Sequence, residues 1–145
     1  MTDKIIEFVT EAFKGHTDKG GQPYINHLLW VANEAYKRNH CDIRLKWIGL
    51  LHDIFEDTDT SSIEVVGLTN DMPEVLDAIE DLTHRKNESY ELYIQRVAGN
   101  PLARKVKICD LEHNMDIRRL NELTDKDVDR LKKYHKHWSY LKSLE

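Results

Sequence analysis

The run Trp47-Ile48-Gly49-Leu50-Leu51-His52-Asp53-Ile54-Phe55 is apolar on every side except at His52 and Asp53. A charged, unpaired carboxylate in such surroundings is costly, so it must take a proton or find a countercharge. The same conflict arises twice more. Asp110 falls on the helical stripe of Ala103, Val106 and Ile117, and His27 is flanked by Tyr24, Ile25, Leu28, Leu29, Trp30 and Val31. A His-Asp dipeptide alone means nothing, since a chain with eight histidines holds about one by chance. A single core histidine is also usually a satisfied hydrogen-bonder. Three such conflicts on three apolar helices are harder to dismiss, and one divalent cation would resolve them together. The expected ligands are His27, His52, Asp53 and Asp110. This mixed nitrogen and oxygen set suits Mn²⁺, Fe²⁺, Zn²⁺ or similar ions, and an octahedral metal would keep room for water or a phosphate oxygen.

Other polar residues follow these four at helical spacing. Glu56 lies four residues after His52, and Asp57 four after Asp53, which puts each one turn further along the same face. The pair either activates the attacking water or merely begins the polar loop Glu-Asp-Thr-Asp-Thr. Asn114, one turn after Asp110, either looks into the same cavity or lies on the helix surface. Lys107, three residues before Asp110, is placed at the pocket rim. Arg104, Lys105, Arg118 and Arg119 read as solvated, and His113 is ambiguous. His16, His40, His84, His135 and His137 show no partner spacing and read as surface or packing residues.

The elements that must position these groups are helical almost throughout. Thr2 caps a first helix with Ile5, Ile6, Val9 and Phe13 inward, and Gly15, Gly20-Gly21 and Pro23 break it. Further helices are expected over about 24–38 and 42–55. A short one follows the Ser61-x-x-Glu64 capping box to near Gly67, and Asp71-x-Pro73-Glu74 opens another to about Thr83. The next spans 88–98 and ends at Gly99. Asn100-Pro101 starts a helix reaching about Leu120. Thr124-x-x-Asp127 opens the last, striped by Val128, Leu131, Tyr134, Trp138 and Leu141. No alternating run of strand length occurs. The expected class is all-α, an irregular bundle of about seven or eight helices in a single domain over 1–145.

Composition narrows the function classes. The chain has 145 residues, 40% hydrophobic and 32% charged, which suits one core. It has no apolar run long enough for a membrane span. The start, MTDKIIEFVTEAFK, carries acidic residues where a secretory signal would be basic and then apolar. Cys41 and Cys109 form no CxxC, which argues against a disulfide framework or thiolate zinc site. These features point to the cytoplasm. The net charge of −5 and lack of a long basic block disfavour a broad nucleic-acid surface. A small anionic ligand would need a local positive centre.

Three segments together resemble the HD-domain metal-dependent phosphohydrolases: Gln22-Pro23-Tyr24-Ile25-Asn26-His27, Leu50-Leu51-His52-Asp53-Ile54-Phe55-Glu56-Asp57-Thr58, and Lys107-Ile108-Cys109-Asp110-Leu111-Glu112-His113-Asn114. The nearest branch is the RelA/SpoT-type (p)ppGpp hydrolase domain with its small single-domain relatives, and the likeness runs from about Ala12 to Leu120. It implies an HD fold in which His27, His52, Asp53 and Asp110 hold one divalent metal. Manganese comes first, with iron, zinc, cobalt, magnesium or nickel as alternatives. It further implies that Glu56 and Asp57 activate the attacking water, that Asn114 contacts the nucleotide sugar, and that Lys19 helps hold the substrate, with Lys107 nearby. The implied reaction is hydrolysis of a 3′-pyrophosphate ester, giving GDP or GTP and pyrophosphate. Two positions depart from the branch: Asp18 stands beside Lys19 where basic residues are adjacent, and Leu111 replaces a frequent lysine. Two other functions remain open, an HD-type phosphatase for another small phosphoester and a non-catalytic nucleotide-binding module. The expected partner in each case is a small nucleotide or phosphoester.

Overall fold

Helical spacing of apolar residues, punctuated by local caps, produces nine α-helical segments in the computed structural model, which describes residues 1–145. They are α1 (Thr2–Ala12), α2 (Ile25–Arg38), α3 (Ile43–Leu51), α4 (Ile54–Asp57), α5 (Ser62–Leu68), α6 (Pro73–Asp81), α7 (Tyr90–Ala98), α8 (Pro101–Asn114) and α9 (Asp125–Ser143). A 3₁₀ turn, Ile117–Arg119, joins α8 to α9. The only β-type pairing is an isolated bridge between Thr17 and Pro23. The all-α expectation holds, and its count is close because α3 and α4 are two pieces of what reads as one helix. No helix is long and apolar enough to cross a membrane.

Several starts obey local chemistry. The Ser61/Glu64 and Thr124/Asp127 capping boxes both form. Asn100 Oδ1 accepts the N–H groups of Leu102 and Ala103 ahead of Pro101, satisfying donors that the first turn leaves free. Other boundaries differ from expectation. Thr2 is the first helical residue of α1, not its cap, and its hydroxyl accepts the Trp47 indole N–H at 3.0 Å. Asp71 does not cap α6 but turns the chain at φ +53, leaving Met72 at the cap. Ser89 caps α7, which therefore begins at Tyr90. The helix expected to reach Leu120 stops at Asn114, where Asp116 caps the following 3₁₀ turn instead. Ile117 is consequently 44% exposed and not on the core stripe.

The core lies where α2, α3 and α8 meet, with α1, α6, α7 and α9 around them. Leu28, Val31, Ile48, Leu50, Leu51, Ile54, Val106 and Leu111 are fully buried. Helices α2 and α3 touch backbone to backbone at Gly49, where a Cβ would sit 2.6 Å from the Ala32 Cα. That close crossing holds α2, which carries His27, against α3, which His52 directly follows.

Candidate metal centre and adjoining cleft

Neighbouring side chains on a continuous helix diverge by about 100°, so His52 and Asp53 could not both face one point from an unbroken α3. The structure interrupts the helix at these two residues. Asp53 adopts φ −103, ψ 6, and His52 Nε2 lies 3.1 Å from Asp53 Oδ2. From α8, Asp110 Oδ1 approaches His27 Nε2 at 3.0 Å and His52 Nε2 at 3.5 Å. Ligand atoms of His27, His52 and Asp53 all lie within 4.8 Å of one another. The four residues singled out from the sequence therefore converge, with Asp110 touching both imidazoles.

The donor set fits a cation. His52 Nδ1 lies 2.6 Å from the Gly49 carbonyl oxygen. A carbonyl only accepts, so Nδ1 carries a proton, and in the neutral form of the ring the lone pair is on Nε2. That Nε2 is buried and has no hydrogen-bond partner; Asp53 is near it but in the wrong direction. Burial alone would lower the His52 pKa, but the Asp53 and Asp110 carboxylates raise it well above its ordinary value. Burial would raise Asp53 and Asp110, yet His52 lowers the first, and Lys107 with the imidazoles holds the second well below the usual range. The cluster is short of positive charge, which a proton or a divalent ion can supply.

The surrounding groups hold these ligands in place. Lys107 is not at a rim. It is buried, its Nζ donates to Asp110 Oδ2 at 2.8 Å, and it lies 5.1 Å from the Tyr93 ring centroid. Burial would depress its pKa, but Asp110 raises it well above the usual value. Tyr24 donates its hydroxyl to Asp53 Oδ2 at 2.6 Å, and burial with Asp53 raises its pKa far above normal. Asn114 Nδ2 donates to Asp110 Oδ1 at 2.9 Å. His113, ambiguous in the sequence, stacks on Trp30 at 4.4 Å between centroids, and its Nδ1 lies 2.7 Å from His27 Nδ1. Burial, then the Arg119 and His27 charges, lower the His113 pKa to about 4. The available signal was its spacing, three residues after Asp110 and so on a neighbouring part of the same face.

A cleft of about 440 Å³ adjoins this cluster, with Tyr24, Asp57 and Asn114 in its lining. Asp57 opens onto it. Glu56 instead accepts a hydrogen bond from the His84 backbone N–H. Both carboxylates keep contact with solvent, yet desolvation by the surrounding protein, followed for Asp57 by the Asp53 charge, raises their pKa values. Lys19, Arg119 and Arg130 supply cations to the cleft. Arg119 is thus not a solvated surface residue. Its guanidinium donates to Asp18 Oδ2 at 3.2 Å, to the His113 carbonyl at 2.8 Å and to Asn114 Oδ1 at 3.4 Å. Asp18 also accepts the Gly20 and Gln22 N–H groups, each at 2.9 Å, so the residue beside Lys19 organises the early loop. Leu111 is fully buried, so a charge there would lie in the core. Of the histidines read as surface or packing, His16 lines the cleft and His137 is buried.

A helical fold around a histidine and aspartate cluster, beside a cleft carrying three cations, is an arrangement suited to a divalent metal and a phosphorylated ligand. No protein-family model matches the chain. Its sequence is 35% identical over 114 residues to human guanosine-3′,5′-bis(diphosphate) 3′-pyrophosphohydrolase MESH1. That match covers 74% of this chain, and the chain spans 61% of the length of that relative. The fold is shared with a solved metazoan SpoT ortholog, described as hydrolysing ppGpp and acting in starvation responses. There the TM-score is 0.78 at 22% identity, over 97% of this chain and 84% of the other. The sequence comparison bears out the resemblance to (p)ppGpp hydrolases, and the structural one shows the shared fold.

Proposed function

We propose that this chain, as one domain over residues 1–145, is a metal-dependent phosphohydrolase acting on the 3′-pyrophosphate ester of guanosine tetra- or pentaphosphate or a related nucleotide. The observation that carries this reading is the buried His52 Nε2, without a hydrogen-bond partner, beside two carboxylates. The activity named for the human relative supports the substrate class, and such a substrate fits a cytoplasmic protein.

His27, His52, Asp53 and Asp110 would hold the ion, with Mn²⁺ first and Fe²⁺, Zn²⁺, Co²⁺, Mg²⁺ or Ni²⁺ as alternatives. A bound divalent cation polarises a phosphoryl oxygen and makes water more acidic. The protein's own groups do the rest. Asp57, at the cleft with a raised pKa, takes a proton from the attacking water. Glu56, anchored by the His84 N–H, helps orient that water. Asn114, held between Asp110 and Arg119, meets the sugar. Lys19, Arg119 and Arg130 offset the phosphate charges, which a protein of net charge −5 would otherwise repel. The water oxygen bonds to phosphorus, the ester bond to the 3′ oxygen breaks, the proton taken up by Asp57 returns to that oxygen directly or through solvent, and pyrophosphate leaves GDP or GTP behind.

The test is product analysis by anion exchange, using chain stripped of metal and reloaded with Mn²⁺. GDP and pyrophosphate from guanosine tetraphosphate support the reading. The pairing of Arg119 with Asp18 favours, as a second reading, a smaller phosphoester needing fewer free cations, which would release orthophosphate. Metal uptake without turnover over a nucleotide panel would leave only a binding module.

A further inference from the structure

His27 and His52 meet the cluster through Nε2, but their Nδ1 atoms are held differently. His52 Nδ1 faces a backbone carbonyl, which can only accept. His27 Nδ1 faces another imidazole nitrogen, Nδ1 of His113, at 2.7 Å. The two rings lie nearly parallel, 17° apart with centroids separated by 5.0 Å, and Trp30 stacks on His113 at 12°. Two helices, α2 and α8, therefore fix the pair, and His27 is 1% exposed.

A single proton can lie between the two nitrogens, and its side decides what His27 can do. If His113 donates, the proton of a neutral His27 sits on Nε2, directed at Asp110 Oδ1 3.0 Å away. If His27 donates, Nε2 turns a lone pair toward Asp110, His52 and Asp53. Histidines that ligate metals generally give their other ring N–H to an outer acceptor, which sets tautomer and ring orientation. Carboxylates and carbonyls are the usual acceptors, and here an imidazole occupies that place.

We propose that His113 is a positioning residue for the metal site: its Nδ1 accepts the Nδ1–H of His27 and so keeps His27 Nε2 available to a cation. The inference rests on the metal reading given above. It concerns cation affinity, not the identity of the nucleotide.

Two variants separate the acceptor from the packing. His113→Phe keeps an aromatic ring against Trp30 and removes the acceptor. His113→Asn removes the ring but puts an amide oxygen close to where Nδ1 stood. Mn²⁺ affinity is measured by isothermal titration on metal-stripped protein, with urea unfolding in chelator as the check on folding. The expected result is roughly 10- to 100-fold weaker binding for His113→Phe and near wild-type binding for His113→Asn. Wild-type affinity in His113→Phe, or equal loss in both variants, overturns the inference and leaves the metal reading standing. A wild-type chain that takes up no Mn²⁺ overturns both. A measurement without substitutions serves if either variant fails to fold. In ¹⁵N imidazole spectra of the Zn²⁺-loaded chain, His27 should carry its proton on Nδ1 and His113 should not, and a protonated His113 Nδ1 overturns the inference.

Discussion

Replacing Lys107 with methionine keeps most of the side-chain volume and removes one buried charge. In the wild type Nζ lies 2.8 Å from Asp110 Oδ2, and the two side chains are only 11% and 5% exposed. Removing one partner of such a pair costs about 3–5 kcal/mol, because the other is left uncompensated. Asp110 keeps the hydrogen bond from Asn114 and its contacts with the two imidazoles through its other oxygen, which places the expected loss at about 3 kcal/mol. With a urea slope of about 2 kcal/mol/M, the midpoint should fall by about 1.5 M. The assay is urea unfolding followed by far-ultraviolet circular dichroism, at pH 7 in chelator. The raised Lys107 pKa makes its contribution fully present below the unfolded value of about 10.4, and it is lost as pH rises through the folded value. The depressed Asp110 pKa gives a contribution present above about 3.9 and lost as pH falls through the folded value. The gap between variant and wild type should therefore be full at pH 7 and shrink in acid. Added Mn²⁺ should also narrow it by giving Asp110 another positive partner. A midpoint shift below about 0.5 M at pH 7, or about 1 kcal/mol, would refute the charge argument.

Arg119→Ala should raise KM for guanosine tetraphosphate by roughly tenfold or more, the worth of one hydrogen bond to a charged group, with a smaller effect on kcat. Steady-state kinetics with Mn²⁺ check this, and an unchanged KM would remove Arg119 from the phosphate site. Gly49→Ala should lose about 3 kcal/mol, since the new Cβ would meet the Ala32 backbone at 2.6 Å in a packed interior. Gly67→Ala, with nothing within 4 Å of its Cβ, should instead gain about 0.5–1 kcal/mol from helix propensity. Thermal melts of the two variants should move in opposite directions. Cys41 is exposed, whereas Cys109 is buried and burial pushes its thiol up to about 12. A thiol reagent at pH 8 should therefore modify one cysteine quickly and the second only in denaturant.

The four convergent residues were legible because each breaks a rule of its own helix. His27, His52, Asp53 and Asp110 are polar groups placed where the apolar pattern demands none, and that conflict is visible without coordinates. The caps at Ser61, Asn100 and Thr124 were legible because their chemistry closes within three residues. The interruption after Leu51 was not, since the apolar pattern continues through Ile54 and no glycine or proline marks a stop. Its cause is tertiary, in that both His52 and Asp53 must reach one cluster. Arg119 was misread for a similar reason. It follows another arginine, Arg118, on an apparent helix surface, while its partner Asp18 lies 101 residues away. Lys107 reads from its spacing as a pocket-rim residue, and its contact with Asp110 shows that it is enclosed instead.

These misread residues share one function in the architecture. Two carboxylates, Asp53 and Asp110, face inward against a single enclosed lysine, so local charge does not balance unless His52 is protonated or a cation is present. The α3–α4 break brings both His52 and Asp53 to the cluster. Lys107 occupies one oxygen of Asp110 and leaves the other toward the imidazoles. Tyr24 and Asn114 then connect the same carboxylates to the cleft, so a phosphate entering between Lys19, Arg119 and Arg130 is one hydrogen-bonded residue away from the cluster. A purely structural buried network would have no reason to keep Nε2 of His52 without a partner, because a buried unsatisfied polar atom costs about 1–3 kcal/mol. That nitrogen lies 3.1 Å from Asp53 and 3.5 Å from Asp110, where a cation held by the same carboxylates would meet it.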